Sequence, residues 1–164
     1  MSGKVSLGAG ICLALLIVSP AFASDWKVDD TISALDGSRT YAATLTSTDT
    51  IRLSAGDEEH ATLVVRCMSD LLEAYIAWPE AVGKDALDMR WRADGGPPKP
   101  EVWSVSRDGD ATFSEDARTF LANLRTVHHA SFQLALANFT TLQATFNVAG
   151  ADVIANTAAT ACRR

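Results

Sequence analysis

The residues able to do chemistry are few and poorly clustered. Of three histidines, His60 follows the acidic run Asp57-Glu58-Glu59, while His128 and His129 are adjacent. Adjacent side chains in a strand point to opposite faces, so that pair cannot readily share a metal ion. No His-x-His, His-x3-His or Cys/His spacing of zinc-site type occurs, so no metal or other cofactor is expected. Serines are plentiful, but none lies in Gly-x-Ser-x-Gly, and a hydrolase using His128 or His129 would have to be assembled by the fold. Asp108, Asp110, Glu115 and Asp116 form an acidic cluster, one starting point for a two-carboxylate hydrolase. Acids in a turn and in the first turn of a helix, where they favour the dipole, account for it more simply. Asp94-Gly95-Gly96-Pro97-Pro98 places prolines where a phosphate cradle needs backbone N–H groups. The chain is read as a non-enzyme.

Recognition chemistry is better represented. Arg66, Arg90 and Arg92 alternate with apolar neighbours, so they share outward faces and could form a basic strip beside an exposed aromatic, Trp103. Such a strip would suit an anionic partner or a glycan. The plainer alternative is a solvated face with cross-strand ion pairs to Glu73 and Asp88. Trp78 and Trp91 alternate with apolar positions and are expected in the core. Trp26 and Trp103 could serve either role.

These side chains must be placed by a single domain. The chain has 164 residues. Lys4, the apolar run Val5–Val18 and Ala21-x-Ala23 have the layout of a secretory signal peptide, so residues 1–23 are expected to be cleaved. The run is short for a retained anchor. Cys12 lies inside it after Ile11, where a lipid-modification site wants a small residue. Removing 23 from 164 leaves 141 residues, 24–164, enough for one domain and one core. The cut takes one lysine and no acid, so 14 cations become 13 against 20 acids, a net charge of −7. That balance argues against a nucleic-acid partner. No later apolar run reaches the ~20 residues of a membrane helix, so no span is expected after cleavage.

Three cysteines become two with the leader gone. In an exported chain Cys67 and Cys162 read as one disulfide. Two buried free thiols are the alternative. A redox-active pair would want Cys-x-x-Cys.

Period-2 patterning dominates the chain. Leu63, Val65 and Cys67 share one face, as do Ala74, Ile76 and Trp78. Leu87, Met89, Trp91 and Ala93 alternate with Asp88, Arg90 and Arg92. Phe132/Leu134/Leu136 and Leu142/Ala144/Phe146/Val148 are close enough to form a hairpin. Gly/Asp/Pro clusters separate the runs. The pattern predicts a mainly β domain, an antiparallel sandwich or barrel-like sheet, with two short helices. One helix starts at Glu115-Asp116 under a Ser114 cap and buries Phe120, Leu121 and Leu124. The other is C-terminal, Ala151–Cys162, with Val153, Ile154, Thr157 and Ala161 as its packing face and Arg163-Arg164 just beyond.

In order, Leu63-Val64-Val65-Arg66-Cys67, Glu73-Ala74-Tyr75-Ile76-Ala77-Trp78, Arg92-Ala93-Asp94-Gly95, Trp103-Ser104-Val105-Ser106, Ala111-Thr112-Phe113, the Phe120/Leu124 helix, Phe146-Asn147-Val148-Ala149-Gly150 and Ala161-Cys162 resemble the type VI secretion-associated VasI/TagO-type proteins of Gram-negative bacteria. The resemblance runs from about Trp26 to Cys162 and is poorest over Ser47–Ala61. It implies a small periplasmic β-rich protein with a Cys67–Cys162 disulfide. It also implies an accessory, non-enzymatic role beside an envelope or secretion-apparatus protein. A different expectation is a small envelope module that binds a glycan or occludes a lytic hydrolase through Trp103 and the Asp94–Pro100 loop.

Overall fold

The computed structural model describes residues 25–83, 86–138 and 140–162. The signal-like segment and Arg163-Arg164 lie outside them. Eleven strands and two helices follow in order: β1 Lys27–Ile32, β2 Arg39–Thr46, β3 Ile51–Arg52, β4 Glu58–Glu59, β5 Thr62–Met68, β6 Leu71–Ala77, β7 Leu87–Ala93, β8 Lys99–Val105, β9 Ala111–Ser114, α1 Ala117–Leu124, β10 His129–Ala135, β11 Thr141–Asn147 and α2 Ala151–Ala161. Nine of the strands make one antiparallel sheet ordered β1-β2-β5-β6-β9-β8-β7-β10-β11, and β3 and β4 pair separately.

Alternation decides which side of the sheet is dry. Tyr41, Ala43 and Leu45 of β2 lie opposite Cys67, Val65 and Leu63 of β5. They are buried together with Ala74 and Ile76 of β6, Met89 and Trp91 of β7, and Phe132 and Leu134 of β10. The sheet curls around this face without closing. In the loop after β2, the Thr48 N–H reaches the Thr145 carbonyl of β11 at 2.7 Å. The Asp49 carboxylate in turn accepts the Thr145 N–H at 2.7 Å. Strands from opposite ends of the order are thus stitched by a loop, not by a ladder. The β10–β11 hairpin forms as the alternation predicts, with Phe132 opposite Ala144 and Leu134 opposite Leu142.

Both helices cover the inner face, and each differs in detail from expectation. Asp116, not Ser114, caps α1: its side chain accepts the Thr119 N–H, and no acid lies in the first turn. Ser114 is the last residue of β9, paired with Trp103, so its backbone is committed to the sheet. The expected stripe Phe120, Leu121 and Leu124 is buried. α2 packs on α1, β2 and β5 through Ala151, Ile154, Ala155, Ala158 and Ala161. Val153, expected in that face, is 61% exposed. Small residues let the helix lie close to the sheet, and the Cys162 bond to Cys67 of β5 fixes its rotation. At the tight turn before β9, Gly109 has φ +80°, and a Cβ there would stand 2.5 Å from the Gly83 carbonyl oxygen, so only glycine fits.

Candidate functional site

The outer face of the sheet carries clusters of polar residues. Its first cluster forms on β5, β6 and β9. Arg66 lies in register with Glu73 and its Nε donates to the Glu73 carboxylate at 2.6 Å. Its guanidinium also stands 5.2 Å from the Tyr75 ring centroid. Tyr75 in turn stacks on Phe113, the centroids 4.6 Å apart and the planes 26° from parallel. This cation is therefore already neutralised by the cross-strand partner that the pattern suggests.

Arg90 and Arg92 are differently placed. They sit two residues apart on β7, in register with Gln133 and Ser131 of β10, and Gln133 pairs onward with Gln143 of β11. With Pro98 these side chains border a shallow groove of about 230 Å³. Among the described residues neither arginine forms an ion pair, and no acid lines the groove. The groove presents two guanidinium groups, two side-chain amides and the Ser131 hydroxyl, which lies 3.2 Å from Thr145 Oγ1.

The single strip drawn from sequence is therefore divided. β6, β9 and β8 lie between β5 and β7, which sets Arg66 roughly 19 Å from the Arg90–Arg92 groove at ordinary strand spacing. Trp103 does not belong to any surface. It is 0% exposed and meets Phe120 edge-on at 5.2 Å and Phe132 at 5.8 Å. Its strand turns it inward beside Leu87 and Ser114, so it cannot serve as a contact for a hydrolase. Trp78 and Trp91 are buried as expected, and Trp26 is buried too. The Trp78 indole N–H donates to Thr112 Oγ1 at 3.0 Å, and that of Trp91 to Glu101 at 2.8 Å.

The candidate catalytic groups are engaged in structural roles. His128 precedes β10 and does not alternate with His129 within a strand. Both imidazoles approach Asp94 instead, with Nδ1–carboxylate distances of 4.0 and 3.9 Å. The Ser47 hydroxyl lies 3.4 Å from His60 Nδ1. Both, however, contact the Asp49 carbonyl, at 2.7 and 3.0 Å. The Ser47 oxygen also accepts the Ala61 N–H. This contact closes a loop and offers no free nucleophile. Asp110 accepts the Ser106 hydroxyl and Asp116 caps α1, so the acidic cluster is not gathered into a facing pair. Among the described residues no group of three or more His, Cys, Asp or Glu side chains could hold a metal ion, and no helix is long and apolar enough to cross a membrane.

Sequence reasoning missed Gln133, Gln143 and Ser131 in the groove and the Tyr75–Phe113 stack. For Gln133, Gln143, Ser131 and Tyr75 the signal was available in the alternation, since each occupies the outward phase of a strand whose inward phase is apolar; Phe113 gave none, because the inward phase of β9 beside it is Thr112 and Ser114.

No known protein family matches the chain, and no curated protein matches it. A solved structure does: invasion-associated protein B from Bartonella henselae superposes with a TM-score of 0.53 at 11% sequence identity, over 86% of this chain and 96% of that one. At that identity the likeness concerns the fold alone.

Proposed function

We propose that the protein is exported and acts by binding, as a non-enzymatic accessory of the cell envelope, with the β7–β10–β11 outer face as its recognition surface. The observation that carries this is the Arg90–Arg92 groove. In a chain with more acids than cations, two arginines on one face meet no carboxylate among the described residues, while Gln133, Gln143 and Ser131 stand beside them. Such a site selects an anionic group, held by charge-assisted hydrogen bonds and ringed by neutral donors. Export is supported by the signal-like N-terminus and by the Cys67–Cys162 disulfide, a bond that persists in oxidising compartments. The partner we propose is an envelope or secretion-apparatus protein presenting that anionic group, as the likeness to type VI secretion-associated proteins implies.

The test is co-purification from the envelope with the wild-type protein and an Arg90→Ala/Arg92→Ala variant. An envelope or secretion component should be recovered with the wild type and bind the double variant about 10–100-fold more weakly, with the melting temperature unchanged. Equal recovery by both proteins, or recovery of no envelope component, would overturn the proposal.

A further inference from the structure

A second opening lies on the same sheet, away from the arginine groove, where two strands part. β6 pairs with β9 only over Tyr75–Ala77. β9 then ends at Ser114 and the chain turns into α1, which leaves the first half of β6 without a strand on that side. The two-residue turn between Met68 and Leu71 makes that pair the hydrogen-bonded closing pair of the β5–β6 hairpin. Odd-numbered residues of β6 therefore bond to β5, and the peptide groups of Leu72, Ala74 and Ile76 turn the other way. Ile76 meets Thr112 there, whereas Leu72 has no strand opposite. The gap is an open depression of about 380 Å³, bordered by Leu71, Glu73, Ser104, Phe113, Ser114 and Glu115, a size suited to a small ligand.

The lining is chemically mixed in a particular way. Phe113 is held by its stack on Tyr75 and also borders the opening, so it offers a positioned aromatic surface. Glu73 is neutralised by Arg66. Glu115 makes no ion pair or hydrogen bond among the described residues, leaving one free carboxylate in the wall. Ser104, in register with Phe113, shares its outward face and adds a hydroxyl, whereas Ser114, in register with Trp103, turns its shielded hydroxyl toward the inner face. No unpaired cation is present to attract an anion. An aromatic surface for a ring's C–H groups, a carboxylate able to accept two neighbouring hydroxyls, and a hydroxyl that donates or accepts match an uncharged sugar.

We infer that this gap is a saccharide subsite, in which a pyranose ring lies on Phe113 and its hydroxyls bond to Glu115 and Ser104. It is independent of the anion groove, and either site can be wrong without the other. The experiment is an amide NMR titration of the purified protein with uncharged tetrasaccharides of glucose and of N-acetylglucosamine, with spermidine as a cationic control. Shifts should centre on Leu72 and Phe113–Glu115. The affinity should fall at least about tenfold in Phe113→Leu, which keeps apolar bulk, and in Glu115→Gln, which keeps the shape. It should be unchanged in Arg90→Ala/Arg92→Ala. Melting curves establish that each variant is folded. Absence of shifts at millimolar sugar, shifts centred elsewhere, wild-type affinity in both pocket variants, or tighter Glu115-dependent binding of spermidine would each overturn the subsite.

Discussion

Asp94 shows how much one exposed side chain can organise. Its backbone has φ +45°, a conformation that Asp and Asn tolerate better than most residues. Its carboxylate accepts the N–H groups of His128 and His129 at 3.0 and 2.8 Å, and its own N–H donates to the His129 carbonyl at 2.8 Å. The end of β7 is thereby locked to the start of β10. The His129 N–H first, and then that of His128, holds the Asp94 carboxyl below its ordinary value. A depressed folded value gives stability that is complete above the unfolded value, about 3.9, and is lost as pH falls through the folded one. Asp94→Asn keeps the backbone conformation but removes the charge, so it should melt below wild type at neutral pH. The difference should close as acid protonates Asp94. Melting curves taken from neutral to strongly acid pH check this, and a difference that stays constant would assign the ordering to something other than the carboxylate. None of this was legible in the sequence. Adjacent histidines suggested opposite faces, and their common acceptor lies 34 residues away from His128. Trp103 was obscured for a local reason: Val102 beside it and Pro100 before it blur the alternation that would have marked it as inward.

Among the elements, the β5–β6 hairpin is the most constrained by its connection. Ser69 and Asp70 form its two-residue loop with φ +52° and +61°, the type I′ pattern that favours Asn-Gly. Neither residue is glycine, so the turn carries backbone strain while the ladder around it sets the register. Ser69→Asn with Asp70→Gly should raise stability by about 1 kcal/mol, seen as a higher denaturant midpoint at unchanged slope. A lower midpoint would mean that Ser69 or Asp70 makes interactions worth more than the strain. Elements with one clean dry face were legible beforehand: β7 and the β10–β11 hairpin show strict alternation, and β5 and β6 carry it apart from the buried Val64 and the leading Leu71-Leu72. β1 gave no such signal because all six of its residues are exposed, and nothing selects a phase in a strand that covers no core. The start of α1 was misplaced because Ser114 can cap a helix in isolation, but the ladder with β8 claims it first. The face of α2 was misjudged because size was taken as a guide to burial, whereas close approach to a sheet selects alanine over valine.

At the scale of the molecule, a curled open sheet needs something to hold its layers together. Aromatic packing supplies part of this: Phe132 lies about 6 Å from the rings of Trp91, Trp103, Phe120 and Phe146, joining β7, β8, α1, β10 and β11. That cluster leaves out β2 and β5, which are covered by α2. Most of α2's packing face is alanine, and alanine contributes little apolar area to hold a helix down. The Cys67–Cys162 bond, across a sequence separation of 95, ties the end of that helix to β5 with a Cα–Cα distance of 5.6 Å. For a loop of that length the chain-entropy model assigns about 4–5 kcal/mol, a large share of a typical domain's stability. Reduction, or Cys67→Ala with Cys162→Ala, should therefore lower the unfolding free energy, read from the denaturant midpoint and slope, by an amount approaching that figure. Loss of order should begin at α2 and its contacts with β2 and β5. Hydrogen exchange separates this from uniform weakening: amides of α2 should lose protection before those of β7 and β10, whose core does not depend on the bond. If all of them exchange together after reduction, the aromatic cluster and the helix form one cooperative unit, and the disulfide secures the whole sheet, not its covering helix alone.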